Sequence, residues 1–301
     1  MIDVIIIGAG PAGLAAAIYV ERSGKQAVLL EAGSFGGQIV NTLEIENYPG
    51  IKKISGFDFA MSLYEQATGL GAEIKYEKAD KIEDKGEYKT VYTASGASYD
   101  AQAVIIATGA KNRHLLLDKE EKFTGKGISY CATCDGAFFK GMDVAVNGGG
   151  NTAIEDALFL SNYCSKVYVI HRREEFRGDK ASLELLKSKE NVSFVLNSNI
   201  IEILGEDRLS GIRVKNNKTD EEKVIEISGL FIAIGQEPDN KGFINVADIN
   251  EAGYIIATED LKTRTPGIFT AGDCRIKEVR QLATAVSDGA VAGLKACQFI
   301  K

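Results

Sequence analysis

Residues 4–7 read Val-Ile-Ile-Ile, with no polar position to mark a solvent face. That is the pattern of a strand buried on both sides in a parallel sheet. Gly8-Ala9-Gly10-Pro11-Ala12-Gly13 interrupts the apolar run, and residues 14–20 resume it as a helix. A second apolar strand follows at 27–30. The same succession returns later: residues 143–147 form a strand, Gly148-Gly149-Gly150-Asn151-Thr152-Ala153 a glycine turn and helix start, and 166–170 a further strand. Closing strands are predicted at 103–107, ending in Thr108-Gly109, and at 229–234, ending in Gly235. A last strand leads into Gly272-Asp273, and a helix with alanine and valine on its apolar side spans 283–300. This repetition predicts an α/β chain of two duplicated nucleotide-binding folds. The C-terminal helix is read as returning to the first fold, so the second is inserted. The expected division is 1–113 plus 243–301 for the first domain and 114–242 for the second.

Glycines in such a turn let the backbone approach a pyrophosphate, whose charge is stabilised by free N–H groups at the helix N-terminus. In the first motif a carboxylate, Glu31, stands about 20 residues on, where it can accept hydrogen bonds from ribose hydroxyls. The same count from Gly148 lands on His171, followed by Arg172, Arg173 and, one helical turn on, Arg177. Guanidinium groups in place of the acid suit a 2′-phosphate, so the second site should prefer NADPH to NADH. The plainer alternative is a solvated face in which these arginines pair with Glu174 and Glu175.

Composition narrows the class. Hydrophobic residues make up 45% of the 301 and charged residues 26%, ordinary for a globular protein. A net charge of −7 argues against a broad nucleic-acid surface. The apolar stretch 4–20 has no basic leader and carries glycines and Pro11, so neither a signal peptide nor a membrane span is expected, and the default compartment is the cytoplasm. Of the five cysteines, only Cys131 and Cys134 are close, as Cys-Ala-Thr-Cys. A zinc site would need a second such pair or suitably spaced histidines, and His114 and His171 do not supply them; no metal is expected. A CxxC pair cycles readily between dithiol and disulfide. Asp135 follows it and can exchange protons with the thiols, or else cap the next helix. Cys164, Cys274 and Cys297 are taken as packing cysteines, with a redox role for Cys274 left open by its place beside Asp273.

In this order, Gly8 to Gly13, Ala107-Thr-Gly109, Cys131-Ala-Thr-Cys134-Asp135-Gly136, Gly148 to Ala153, His171-Arg-Arg173 with Arg177, and Ala271-Gly-Asp273 resemble the low-molecular-weight bacterial thioredoxin reductases from residue 3 to about residue 290. The resemblance implies two Rossmann-like, three-layer ββα domains, an NADPH domain inserted into a discontinuous FAD domain. It implies that Gly8, Gly10, Pro11, Ala12, Gly13 and Glu31 hold the adenosine half of FAD. Gly37, Gln38, Asn47, Thr108, Gly109, Asp273, Arg280, Gln281 and Ala283 would serve the flavin and its chain. Gly148, Gly150, Asn151, Thr152, His171, Arg172, Arg173 and Arg177 would bind NADPH. Cys134 would face the flavin, Cys131 would attack the disulfide of thioredoxin or a similar small dithiol protein, and Asp135 would carry protons. A homodimer, and rotation of the inserted domain about the crossings near 111–118 and 237–243, are implied as well. Asn147 departs from the family, which places a branched apolar residue there, and is expected to loosen the strand end. The rivals are a ferredoxin-dependent reductase or dithiol oxidase, relatives that have lost the arginines, and a non-enzymatic redox-sensing flavoprotein.

Overall fold

The computed structural model describes residues 1–42 and 44–300. The chain forms two compact units, one joining Met1–Lys111 to Glu237–Lys301, the other the continuous segment Asn112–Gln236. Strand pairing explains why the first unit is discontinuous. Its central strand, Ile2–Ile7, runs parallel to Ala27–Leu30 on one side and to Ser98–Ile106 on the other. The long strand Ser98–Ile106 divides its outer edge between two neighbours. Its first part pairs antiparallel with Lys89–Thr93, and its last three residues pair parallel with Ile268–Thr270 from the far end of the chain.

The apolar run predicted as a doubly buried strand behaves as one. Val4, Ile5 and Ile6 are fully buried, and each such side chain contributes roughly 1.5–3 kcal/mol of transfer free energy. Alternation assigns them to opposite faces. Val4 and Ile6 pack with the helices Pro11–Arg22 and Leu282–Phe299. Ile5 and Ile7 pack with Ile82, Val91, Phe243 and Val246. The two helices approach closely because Gly289 and Gly293 face Ala12 and Ala16: a Cβ on Gly289 would lie 2.1 Å from the Ala12 carbonyl oxygen. The C-terminal helix thus completes the layer begun by the N-terminal glycine turn.

The second unit repeats the plan. Its parallel sheet runs Val192–Leu196, Lys166–His171, Asp143–Asn147, Gly229–Ile232 and Ile128–Ser129. Helix Asn151–Leu160 covers one face through Ile154, Ala157 and Leu160. The antiparallel strands Ser198–Gly205, Leu209–Asn216 and Glu222–Glu226 supply the core of the other, with Ile203, Ile212 and Ile225. Asn147 does not loosen its strand. It stays in register with Ile170 and Ile232, and its carbonyl accepts the Ala233 N–H at 2.8 Å. The ladder uses main-chain groups, which asparagine supplies as well as valine does.

Candidate functional site

At the first glycine turn, Gly8 has φ +105°, and a Cβ there would sit 2.4 Å from the Ala107 carbonyl oxygen. Only glycine meets both demands. Gly10 caps helix Pro11–Arg22 without any side-chain bond, so the first-turn N–H groups are left for an anion. Glu31 closes the turn from the neighbouring strand, accepting the Ala9 N–H at 2.7 Å and the Gly33 N–H at 2.8 Å. Gly37 lies against Gly10, and Gly272 against Ala12. The structure therefore brings Gly8 to Gly13, Glu31, Gly37 and the Gly272–Asp273 turn to one rim. Gln38 donates to the Ala110 carbonyl beside Gly109, Thr108 donates to Asn240 at 2.9 Å, and Asn47 donates to Gln281 at 3.3 Å. Gln281 caps helix Leu282–Phe299, whose first turn contains Ala283.

Two polar atoms in this unit bear on a ligand. Among the described residues, Asp273 Oδ1 and Arg280 Nε are buried with no hydrogen-bond partner, a costly state unless a bound group supplies the bond. Burial also pushes the Asp273 carboxyl up. Sequence reasoning missed what holds this turn. Asp288 accepts the Gly272 N–H at 3.0 Å, two bonds from Arg275 at 2.8 and 2.9 Å, and one from Lys277 at 2.9 Å. Buried Asn240 ties Thr108 to the carbonyls of Gly253 and Cys274. Neither residue belongs to a local motif. The Cys274 thiol is fully buried, within 3.3–3.4 Å of Thr270 Oγ1 and the carbonyls of Ala271 and Ile106.

The second glycine turn is built around an imidazole. His171 is 5% exposed and lies flat under the turn, where a Cβ on Gly149 would fall 2.1 Å from its ring. The ring stacks near Phe176 at 4.9 Å, and its Nε2–H donates to the Glu175 carbonyl at 3.1 Å. Burial pulls its pKa down. The residue count placed His171 correctly along the chain but could not show that its ring supports the turn from beneath. The following loop folds back: the Arg177 N–H donates to the Gly149 carbonyl at 2.8 Å, and Asn151 accepts the Asp179 N–H at 2.7 Å. Arg172, Arg173 and Arg177 are exposed, and among the described residues none forms an ion pair. Glu174 pairs with Lys218 instead, at 2.7 Å. The self-paired acidic–basic face considered above is therefore not formed.

The same unit carries the cysteines. Ile128–Ser129 is the edge strand of the parallel sheet, and Cys131, two residues on, is joined to Cys134 in a disulfide. The short turn Ala132–Asp135 packs on helix Asn151–Leu160, with Gly136 against Leu160 and Phe159. Burial, then neighbouring Glu155, pushes the carboxyl of Asp156 on that helix up to about 7. Asp135 makes no cap bond. Its carboxylate instead meets the Ser129 hydroxyl at 2.5 Å, and burial raises its pKa. On the other side of the entry strand, buried Glu120 accepts from the Tyr130 hydroxyl at 2.8 Å and from the Leu115 and Leu116 N–H groups at 3.0 and 2.9 Å.

A sulfur pair in the disulfide state, mounted on the helix that a dinucleotide-type turn begins, defines a nucleotide-dependent dithiol–disulfide oxidoreductase. The chain belongs to the pyridine nucleotide-disulphide oxidoreductase family, which it matches over residues 2–289. It is 42% identical over 300 residues to the thioredoxin reductase of Listeria monocytogenes, covering 99% of this chain and 94% of that one. It is 39% identical over 300 residues to the bifunctional thioredoxin reductase/thioredoxin of Mycobacterium leprae, covering 99% of this chain and 66% of that longer one. Its fold is similar to the crystal structure of thioredoxin reductase from Streptococcus pyogenes, with TM-score 0.93 and 42% identity over 99% of this chain and 98% of that one.

Proposed function

We propose that this protein is a thioredoxin-disulfide reductase that uses NADPH and FAD. The observation that carries the reading is the Cys131–Cys134 disulfide in the unit whose glycine-turn motif is followed by three exposed arginines that, among the described residues, form no ion pair. In the first unit Gly8 to Gly13 and Glu31 would hold the adenosine half of FAD, and Asp273 would meet a hydroxyl-bearing part of it through its unpartnered oxygen. In the second, Gly148, Gly150, Asn151 and Thr152 would receive the pyrophosphate of NADPH, and Arg172, Arg173 and Arg177 its 2′-phosphate. When bound, the two cofactors supply hydride and an electron pair to the disulfide.

The chain's own chemistry then follows. Two electrons and two protons convert the disulfide to two thiols. The Cys131 thiolate attacks a sulfur of the substrate disulfide, forming a mixed disulfide and expelling a substrate thiolate that takes a proton. Cys134, deprotonated, attacks Cys131 and releases the second substrate thiol. Asp135, 2.5 Å from Ser129 at the end of the edge strand, would carry these protons. The unpaired arginines favour a nicotinamide donor over ferredoxin. The Mycobacterium leprae relative, by its name, joins such a reductase to a thioredoxin, which supports thioredoxin as substrate.

Anaerobic mixing with NADPH, and separately with NADH, tests the donor. Rapid bleaching of oxidised flavin by NADPH, and turnover on adding thioredoxin, is the expected result; no bleaching with either nucleotide would overturn it. Cys131→Ser should keep the bleaching and lose thioredoxin turnover.

A further inference from the structure

Ser129 is 4% exposed and belongs to no cofactor motif. Its Oγ lies 2.5 Å from Asp135 Oδ2, 3.3 Å from the Cys131 carbonyl oxygen and 3.1 Å from the Cys131 N–H. The N–H contact is fixed in sense, since an amide only donates. The other two contacts compete, because a hydroxyl has one proton and two lone pairs. If Asp135 is ionised, it can only accept, so the hydroxyl proton must point at it and the Cys131 carbonyl keeps only the bond from the Asp135 N–H, at 3.1 Å. If Asp135 carries a proton, it donates to Oγ, and the serine proton is free to turn to the Cys131 carbonyl. All three contacts are then satisfied at once.

Resting on the function proposed above, we propose that Ser129 is a positioning residue of the thiol–disulfide exchange, its hydroxyl switching between Asp135 and the Cys131 carbonyl according to whether Asp135 holds a proton. The sequence of events balances. Cys131–substrate sulfur bond formation breaks the substrate S–S bond, and the leaving sulfur takes the proton of Asp135. The hydroxyl then turns to the new carboxylate and gives up its bond to the Cys131 carbonyl, which keeps the Asp135 N–H. One of the two bonds on the backbone carbonyl of the residue now tethered to substrate is thereby lost, just when Cys134 must reach its sulfur. The Cys134 thiol returns a proton to Asp135 and closes the Cys131–Cys134 bond, and the second substrate thiolate is protonated from solvent. The hydroxyl swings back and its bond to the carbonyl is remade. Ser129 is the hydrogen-bond partner of the Asp135 carboxylate, and among the described residues no cation is paired with it. The titratable groups of the packed helix Asn151–Leu160 are Glu155 and Asp156. The neighbouring strand Gly229–Ile232 carries none.

The test compares wild type, Ser129→Ala, Ser129→Thr and Asp135→Asn in the pH profile of thioredoxin turnover, beside the rate of flavin reduction by NADPH. The limb that Asp135→Asn abolishes belongs to Asp135. Removing the hydroxyl takes away a donor to the ionised form, so that limb should move up by about one pH unit in Ser129→Ala. It should return to its wild-type position in Ser129→Thr, with flavin reduction equal throughout. An unmoved limb in Ser129→Ala would overturn the switch. Failure of NADPH to bleach the wild-type flavin would instead strike at the underlying function. Should Ser129→Ala not fold, wild-type protein with ¹³C-carbonyl cysteine serves. Its infrared spectrum should show a labelled amide band shifting together with Asp135 ionisation, absent in Asp135→Asn. A labelled band indifferent to that ionisation would sink the proposal.

Discussion

Replacing Asp288 with asparagine should damage the first unit more than any other single change of one charge. The two side chains have the same shape, but the carboxylate accepts four hydrogen bonds, from Gly272, Arg275 twice and Lys277. An amide offers one accepting oxygen and presents two donors to groups that can only donate. The Arg275 and Lys277 side chains are each 7% exposed, so they cannot turn to water for compensation. Removing one partner of such a buried ion pair costs about 3–5 kcal/mol. That is a large fraction of the roughly 5–15 kcal/mol that holds a domain together. For a unit of this size it corresponds to a melting-point fall of roughly 6–20 °C. The assay is thermal release of flavin fluorescence, since Asp288 anchors the Gly272–Asp273 turn. A companion variant, Asp288→Leu with Arg275→Met and Lys277→Met, removes all the buried charge together and should recover much of the loss. The pH dependence has a definite sign. Burial pushes the Asp288 carboxyl up, but the bonds from Arg275 and Lys277 outweigh it and hold the group below its ordinary value. Its stabilisation is present above the unfolded-state pKa near 4 and fades as pH falls through the lower folded value. Wild type should therefore lose flavin on acidification more steeply than Asp288→Asn. A variant melting with wild type, at neutral pH, would refute the reasoning.

Two further outcomes follow from the packing and the charge. Gly289→Ala puts a methyl 2.1 Å from the Ala12 carbonyl oxygen, and the helices must part, at about 1–3 kcal/mol; chemical denaturation followed by flavin fluorescence should show a lower midpoint. Arg172→Ala with Arg173→Ala should raise KM for NADPH at least tenfold, with a weaker dependence on salt, and leave KM for NADH nearly unchanged; equal losses for both nucleotides would contradict a 2′-phosphate role.

What the sequence revealed depended on whether the information was local. The glycine turns, the Cys131–Cys134 pair and the strand ending in Asp273 are each set by a few consecutive residues, and their geometry is a property of those residues. Asp288 and Asn240 act across long separations and carry no pattern that marks them among other acids and amides. Ser129 stands two residues from Cys131, yet its part depends on the turn that brings Asp135 back to it. His171 is an intermediate case. Counting from Gly148 locates it, but whether a ring points toward ligand or beneath the loop is settled by the packing of Gly149 and Phe176. Asn147 warned of a weak strand end, and the main-chain ladder, indifferent to side-chain identity, kept it in register.

The division of Ser98–Ile106 between two neighbours has a consequence during translation. The inserted unit, Asn112–Gln236, is continuous and has all its strands once it has left the ribosome. The unit that begins the chain must wait for Ile268–Thr270 and for Leu282–Phe299. In the interval, part of the Ser98–Ile106 edge and the alanine-rich face of Pro11–Arg22 stand uncovered, an open strand edge beside an apolar surface. The N-terminal half, first to be made, is thus the last to be finished, and a nascent chain stalled before residue 268 is the species on which chaperones and aggregation would compete.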